Sequence, residues 1–140
     1  MGSRAPLDRS PKKNWVERAG QLPGYIREIA RSIEKTGKTL SQAIAIAISR
    51  CKVWATGKGV SKDTQAKASA AIAEWEKLKA KSASKDLVAA SVYAEMDVAA
   101  DLIELTPLED LIIQLAVRRD REGSVSLSRV LAQVSRRSSV

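Results

Sequence analysis

Residues 39–55, TLSQAIAIAISRCKVWA, decide how the rest of the chain reads. Leu40, Ala43, Ile44, Ala47, Ile48, Cys51 and Trp54 recur at three- and four-residue spacing, the period of one face of an α-helix. Thr39 or Ser41 offers the N-terminal cap, because a hydroxyl there accepts from an otherwise unpaired first-turn N–H. Gly57 supplies the stop. An apolar stripe this wide on a helix needs neighbours to cover it.

The neighbours lie on either side. Upstream, Leu22-Pro23 opens a helix, since proline loses nothing where the first-turn N–H has no partner. Tyr25, Ile26, Ile29, Ala30 and Ile33 form its apolar face, Arg27, Glu28, Arg31 and Glu34 its polar face, and Gly37 ends it. Before it, Asn14 reads as the cap of a brief helix with Glu17 at the reciprocal position and Gly20 as its close. Residues 1–13 mix Pro, Ser, Gly and charge without periodicity and read as a flexible basic arm. Downstream, the loop GKGVSKD leads to Ser61 or Asp63 as cap. A further helix then runs to about Lys81, with Ala68, Ala71, Ile72, Trp75 and Leu78 on one face. Residues 14–81 therefore read as one helical module with three tryptophans. Trp15, Tyr25, Ile29, Ile44, Ile48, Trp54, Ile72 and Trp75 are its expected core.

Ser82-Ala83-Ser84 reads as a module boundary. Beyond it, Lys85 to Leu105 carries Leu87, Val88, Val92, Met96, Ala99, Leu102 and Ile103 with acids between them. Thr106-Pro107-Leu108-Glu109 is a capping box with proline at the first helical position, opening a helix to about Arg121 before Gly123. Ser126 to about Arg137 reads as a last helix around Leu127, Val130, Leu131 and Val134, or as a short strand at its start. The expected fold is all-α: a helical bundle (14–81), an acidic amphipathic helix pair (84–123) and a basic C-terminal segment (124–140).

Composition agrees with helix packing. Aromatic residues make up 4% of the 140 residues and Phe is absent, so the apolar set is Ala, Ile, Leu and Val. Charge is +8 overall and unevenly spread. Residues 1–83 carry 17 basic and 7 acidic side chains, residues 84–117 carry 1 and 7, and residues 118–140 carry 6 and 2. Opposite local charge suits self-complementary association between copies. No stretch approaches the roughly 20 apolar residues of a membrane span, and Met1 to Lys13 lacks a signal peptide's apolar core. The expectation is a soluble intracellular protein without membrane contact.

Few residues suggest chemistry. Thr36-Gly37-Lys38-Thr39 resembles the end of a phosphate-binding loop, but Ser32 stands where that motif needs glycine, and no strand precedes it. With no His in the chain, Cys51 lacks an activating base and reads as a buried thiol. Asp97 and Asp101 share a helix face at i,i+4; such a pair is expected to be solvated or to meet a partner's basic surface. Asp97, Asp101 and Glu104, with Arg118, Arg119, Arg136 and Arg137, are the candidate interaction residues. The stretch Ile29 to Ile48 has the size of a helix-turn-helix, with Arg27, Arg31, Lys35, Lys38, Arg50 and Lys52 in reach of phosphates. Its second helix, SQAIAIAIS, offers little to read bases with. The basic arm and tail are the candidates for nonspecific nucleic-acid contact. No catalytic set, cofactor site or metal site is expected.

The runs Asn14-Trp15-Val16, Gly20-Gln21-Leu22-Pro23-Gly24-Tyr25-Ile26-Arg27-Glu28-Ile29-Ala30, Ser41-Gln42-Ala43-Ile44-Ala45-Ile46-Ala47, Lys52-Val53-Trp54-Ala55-Thr56-Gly57 and Ala71-Ile72-Ala73-Glu74-Trp75-Glu76 together resemble a helical segment of tailed bacteriophages that infect actinobacteria. Similar segments occur in or near head-assembly proteins, including capsid maturation proteases. The resemblance covers about residues 14–80 and carries no catalytic motif. It implies a structural or assembly component of the virion head, located in the virion or in host cytoplasm during assembly. Its partners would be other virion proteins and copies of itself. The alternatives are a phage-encoded DNA-binding or regulatory protein, motivated by the basic front half, and an inhibitor that binds a host protein through its acidic helix.

Overall fold

The computed structural model describes the backbone of residues 13–138 and the side chains of residues 14–122. Six helices follow in order: α1 (Lys13–Arg18), α2 (Gly24–Glu34), α3 (Leu40–Trp54), α4 (Lys62–Lys85), α5 (Leu87–Asp101) and α6 (Pro107–Ser138). A 3-10 turn, Ala19–Gln21, joins α1 to the strand-like Leu22-Pro23 step before α2. The all-α expectation holds, and no described residue is in a strand. The chain divides into two compact units, Met1–Glu104 and Leu105–Val140.

In the first unit α3 is the central element. Every residue from Ala43 to Cys51 is buried, as is Trp54, so the expected stripe is a whole circumference. Helices α2, α4 and α5 pack around α3, and α1 touches it as well. A helix this largely apolar, with only Ser49 and Arg50 polar in its buried stretch, is stable only when wrapped in this way. Thr39 is the α3 cap: its hydroxyl accepts from Gln42 N and the Gln42 side chain accepts from Thr39 N, which settles the choice between Thr39 and Ser41. Ser61, not Asp63, caps α4 by accepting from Thr64 N.

Most of the expected core is in place: Trp15, Ile29, Ile44, Ile48, Trp54 and Trp75 are buried. Tyr25 and Ile72 are only half-buried. They stand at the edges of their helices' packed faces, where Ile26 on α2 and Ala68 and Ala71 on α4 take the interior positions. Complete removal from water favours each large apolar side chain by about 1.5–3 kcal/mol.

Several boundaries differ from the sequence reading. Asn14 is inside α1 and is not its cap, since the helix already includes Lys13. Ser82-Ala83-Ser84 is not a module boundary: α4 continues to Lys85, and Ser82 is buried within it. Asp86 alone connects α4 to α5. It closes α4 through its N–H to Ser82 O and caps α5 by accepting Ala89 N, so a single residue turns the chain without a linker. Helix α5 therefore belongs to the same unit as the first four helices, packed on α3 and α4.

In the second unit the capping box at Thr106 forms as expected, with Thr106 Oγ1 accepting from Glu109 N and Glu109 Oε1 accepting from Thr106 N. Helix α6 then runs through Gly123 to Ser138, replacing the expected break and its alternative strand. A lone glycine inside a helix costs about 1 kcal/mol relative to alanine, too little to end one when apolar helical spacing resumes beyond it. Residues 1–12 and the side chains of Arg136 and Arg137 lie outside the described residues.

Candidate functional site

Asp97 and Asp101 are one turn apart on α5, and Lys52 of α3 reaches both. Its ammonium stands 2.7 Å from Asp97 Oδ1 and 2.8 Å from Asp101 Oδ1. Asp97 has two further donors from α4: Trp75 Nε1 at 2.9 Å to Oδ1, and Lys79 Nζ at 2.9 Å to Oδ2. Lys79 also pairs with Glu76 at 3.0 Å and lies 5.6 Å from the centre of the Trp75 ring. The Trp75 ring in turn meets Tyr93 of α5 edge-on, with centroids 5.7 Å apart. One carboxylate thus ties the central helix α3 to two of the helices that cover it, α4 and α5.

Partial burial alone would raise the Asp97 carboxyl. Hydrogen bonds from Lys52, Trp75 and Lys79, with the attraction of Lys52, outweigh that effect and bring its pKa down to about 2. A carboxylate held so far below neutrality by three donors has little basicity. Its part is structural, and this corrects the expectation of a carboxylate turned toward a partner. Asp101 fits that expectation better: its side chain is 62% exposed even while it pairs with Lys52. Glu104, Arg118 and Arg119 are exposed as well.

Lys52 is correspondingly withdrawn from phosphate contact, and Arg50 is buried with its Nη2 donating to Ser49 Oγ. Arg27 is exposed, although its Nε donates to Leu22 O; Arg31, Lys35 and Lys38 are exposed. With Ala43 to Cys51 buried on every side, α3 has no face to lay in a DNA groove. The helix-turn-helix spacing of α2 and α3 is therefore a packing arrangement.

Cys51 is buried, and burial pushes its thiol up to about 12. A thiol so rarely ionised is not a nucleophile near neutral pH. Thr36 to Thr39 form the turn between α2 and α3, with Gly37 at φ +104° and Thr39 occupied as a cap. Among the described residues no cluster of acids or cysteine has the geometry to hold a metal ion. No described helix is long and apolar enough to cross a membrane.

What the sequence reading missed is exposed apolar surface. Leu87 and Val88 on α5 and Leu102 at its C-terminal cap were expected among its apolar residues, yet they are 76%, 68% and 75% exposed. The packed face keeps the expected Val92 and Met96 and is completed by Ala89, Tyr93 and Ala100. On α6, Leu108, Leu111, Ile112 and Leu115 are all about half exposed or more. Their i, i+3, i+4, i+7 spacing is the sequence signal of this row and directly follows the capping box.

No family model, curated protein or solved structure matches this chain.

Proposed function

We propose that this chain is a structural or head-assembly component of a bacteriophage virion, of minor-capsid, decoration or scaffold-like type, working through protein–protein contacts without catalysis. The observation that carries the contact-making part is the exposed apolar row Leu108, Leu111, Ile112 and Leu115 on α6, beside single exposed residues at Leu87 and Val98 of α5 and at its cap Leu102. Isolated exposed leucines are ordinary, but rows at helical spacing mark association surfaces. The saturated Asp97, the inert Cys51 and the absence of His from the chain support a non-catalytic role. The virion context rests on the resemblance of residues 14–80 to head-assembly segments. Mass spectrometry of purified virions and proheads tests it: the chain should copurify with at least one, and its absence from both would overturn the proposal.

A further inference from the structure

Helix α4 packs one side against α3 and α5 and leaves the other open to solvent. On the C-terminal half of that open side Ala73, Lys77, Ala80, Lys81, Ser84 and Lys85 are exposed. Ala73, Ala80 and Ser84 keep the middle of the face shallow. At 100° per residue, Lys81 and Lys85 line one flank of it, and exposed Glu74 stands on the same flank two turns before Lys81.

The start of α6 carries the opposite relief and the opposite charge. Leu108, Leu111, Ile112 and Leu115 project as a row, 48–65% exposed. Exposed Glu109, whose Oε1 accepts from Thr106 N, flanks that row, and exposed Arg119 lies one turn beyond Leu115 toward the same flank. Laid antiparallel on α4 with Leu108 opposite Ser84, the row sets Ile112 opposite Ala80 and Leu115 over the aliphatic stem of Lys77. In this register Glu109 falls opposite Ala83, between Lys81 and Lys85, and Arg119 falls opposite Ala73, beside Glu74. Large side chains meet small ones, each flanking charge meets its opposite, and the helix dipoles oppose. Laid parallel, with Leu108 opposite Lys77, the row would instead carry Arg118 and Arg119 to the lysine end of α4.

The register also separates one copy from the next. Ser84 lies across the Asp86 corner from the start of α5, so the 15 residues of that helix set it about 22 Å from Leu102. The step from Leu102 to Leu108 spans about 20 Å only when fully extended.

We infer that the start of α6 docks antiparallel on the open face of α4 in a second copy of this chain, with Glu109 between Lys81 and Lys85 and Arg119 at Glu74. Two turns of contact make the association concentration-dependent, and its exposed ion pairs make it weaken with salt. The inference rests on the reading of this chain as one that works through protein–protein contacts, and it names the partner.

Sedimentation velocity on the purified full chain, from low micromolar to near-millimolar concentration, tests it. Self-association is expected, and L111E with I112E should weaken it by at least about tenfold while the circular dichroism of the chain stays helical. K81E with K85E should weaken it several-fold at low salt, as should E109K, and the three changes in one chain should restore it. All five side chains are exposed, so the fold does not depend on them. Disulfide trapping against the background of buried Cys51 reads the register: a mixture of Ser84→Cys and Leu108→Cys chains should crosslink faster than either alone. A chain that stays monomeric, association indifferent to K81E with K85E, or faster trapping within a single variant would each overturn the inference. Particle composition is a separate measurement. A monomer found in virions would overturn only this docking, and a self-associating chain absent from particles would overturn only the virion assignment.

Discussion

Trp75 Nε1 donates to Asp97 Oδ1 at 2.9 Å, and through that bond the largest buried ring of α4 is fixed to the carboxylate that Lys52 and Lys79 also hold. The polar tip of the ring and the charge of the acid satisfy each other at the edge of the core. Trp15 repeats the device, its Nε1 donating to Glu95 Oε1 at 3.1 Å two residues earlier on α5. Removing the acid at position 97 leaves two ammonium groups and one indole N–H short of an acceptor.

Asp97→Lys should therefore destabilise the fold by about 3–5 kcal/mol, the cost of breaking a partly buried ion pair and adding a like charge. Asp101→Lys, at an exposed position, should cost less than about 1 kcal/mol. Urea denaturation of both variants checks the ordering. Equal, small effects would show that the carboxylate at 97 is not the tie between helices.

Acid should act through the same group. The folded Asp97 pKa is about 2, below the ordinary 3.8, so its contribution is fully present above pH 4 and is lost as pH falls toward 2. The shift corresponds to about 2 kcal/mol. Denaturation midpoints measured between pH 5 and pH 2 should fall, and Asp97→Asn should flatten that part of the curve.

Trp75→Ala and Trp54→Ala should each cost about 3–5 kcal/mol through the cavity left in a close-packed interior. Trp75→Ala also strips a donor from Asp97, so Trp75→Phe, which keeps most of the volume, should recover only part of the loss. Thermal unfolding followed by far-ultraviolet circular dichroism measures all three.

Gly57 and Gly37 both adopt positive φ, yet they should respond differently to alanine. A Cβ at Gly57 would lie 2.9 Å from Gln65 Nε2, which donates to Ala55 O and is thereby held in place. A Cβ at Gly37 meets nothing within 4 Å. Both substitutions incur the backbone strain of about 1 kcal/mol, and Gly57→Ala should exceed Gly37→Ala by a further fraction of that. Differential scanning calorimetry of the pair would resolve the order.

Cys51 should not react with a thiol-specific disulfide reagent at pH 8 in the native protein and should react fully in denaturant. Its burial keeps both the reagent and the thiolate away. Fast labelling of the native chain would contradict the central place given to α3.

Local signals were legible in sequence wherever one side chain fixes one backbone group: the box at Thr106 and the stop at Gly37, with Thr39 and Ser61 each named as one of two candidate caps. The face of α5 was legible only in part. Val92 and Met96 were placed on it, but the bulky Leu87, Val88 and Leu102 are exposed while small Ala89 and Ala100 take contact positions beside Tyr93. Asp97 with Asp101 was recognisable as a pair, but that Lys52 and Lys79 would claim Asp97 depends on how α3, α4 and α5 cross. Gly123 looked like a stop from its identity alone, whereas the apolar spacing on both sides of it carries α6 through.

The enclosure of α3 sets the order in which the chain can become safe from aggregation. Its covering helix α2 is made before it, but α4 and α5 follow, so a growing polypeptide on the ribosome holds a largely apolar segment without its full wrapping until Asp101 has emerged. Any fragment ending ahead of α5 shares that exposure. The same wrapping should make the amides of Ala43 to Cys51 the slowest in the molecule to exchange with solvent, since reaching them requires the surrounding helices to part together.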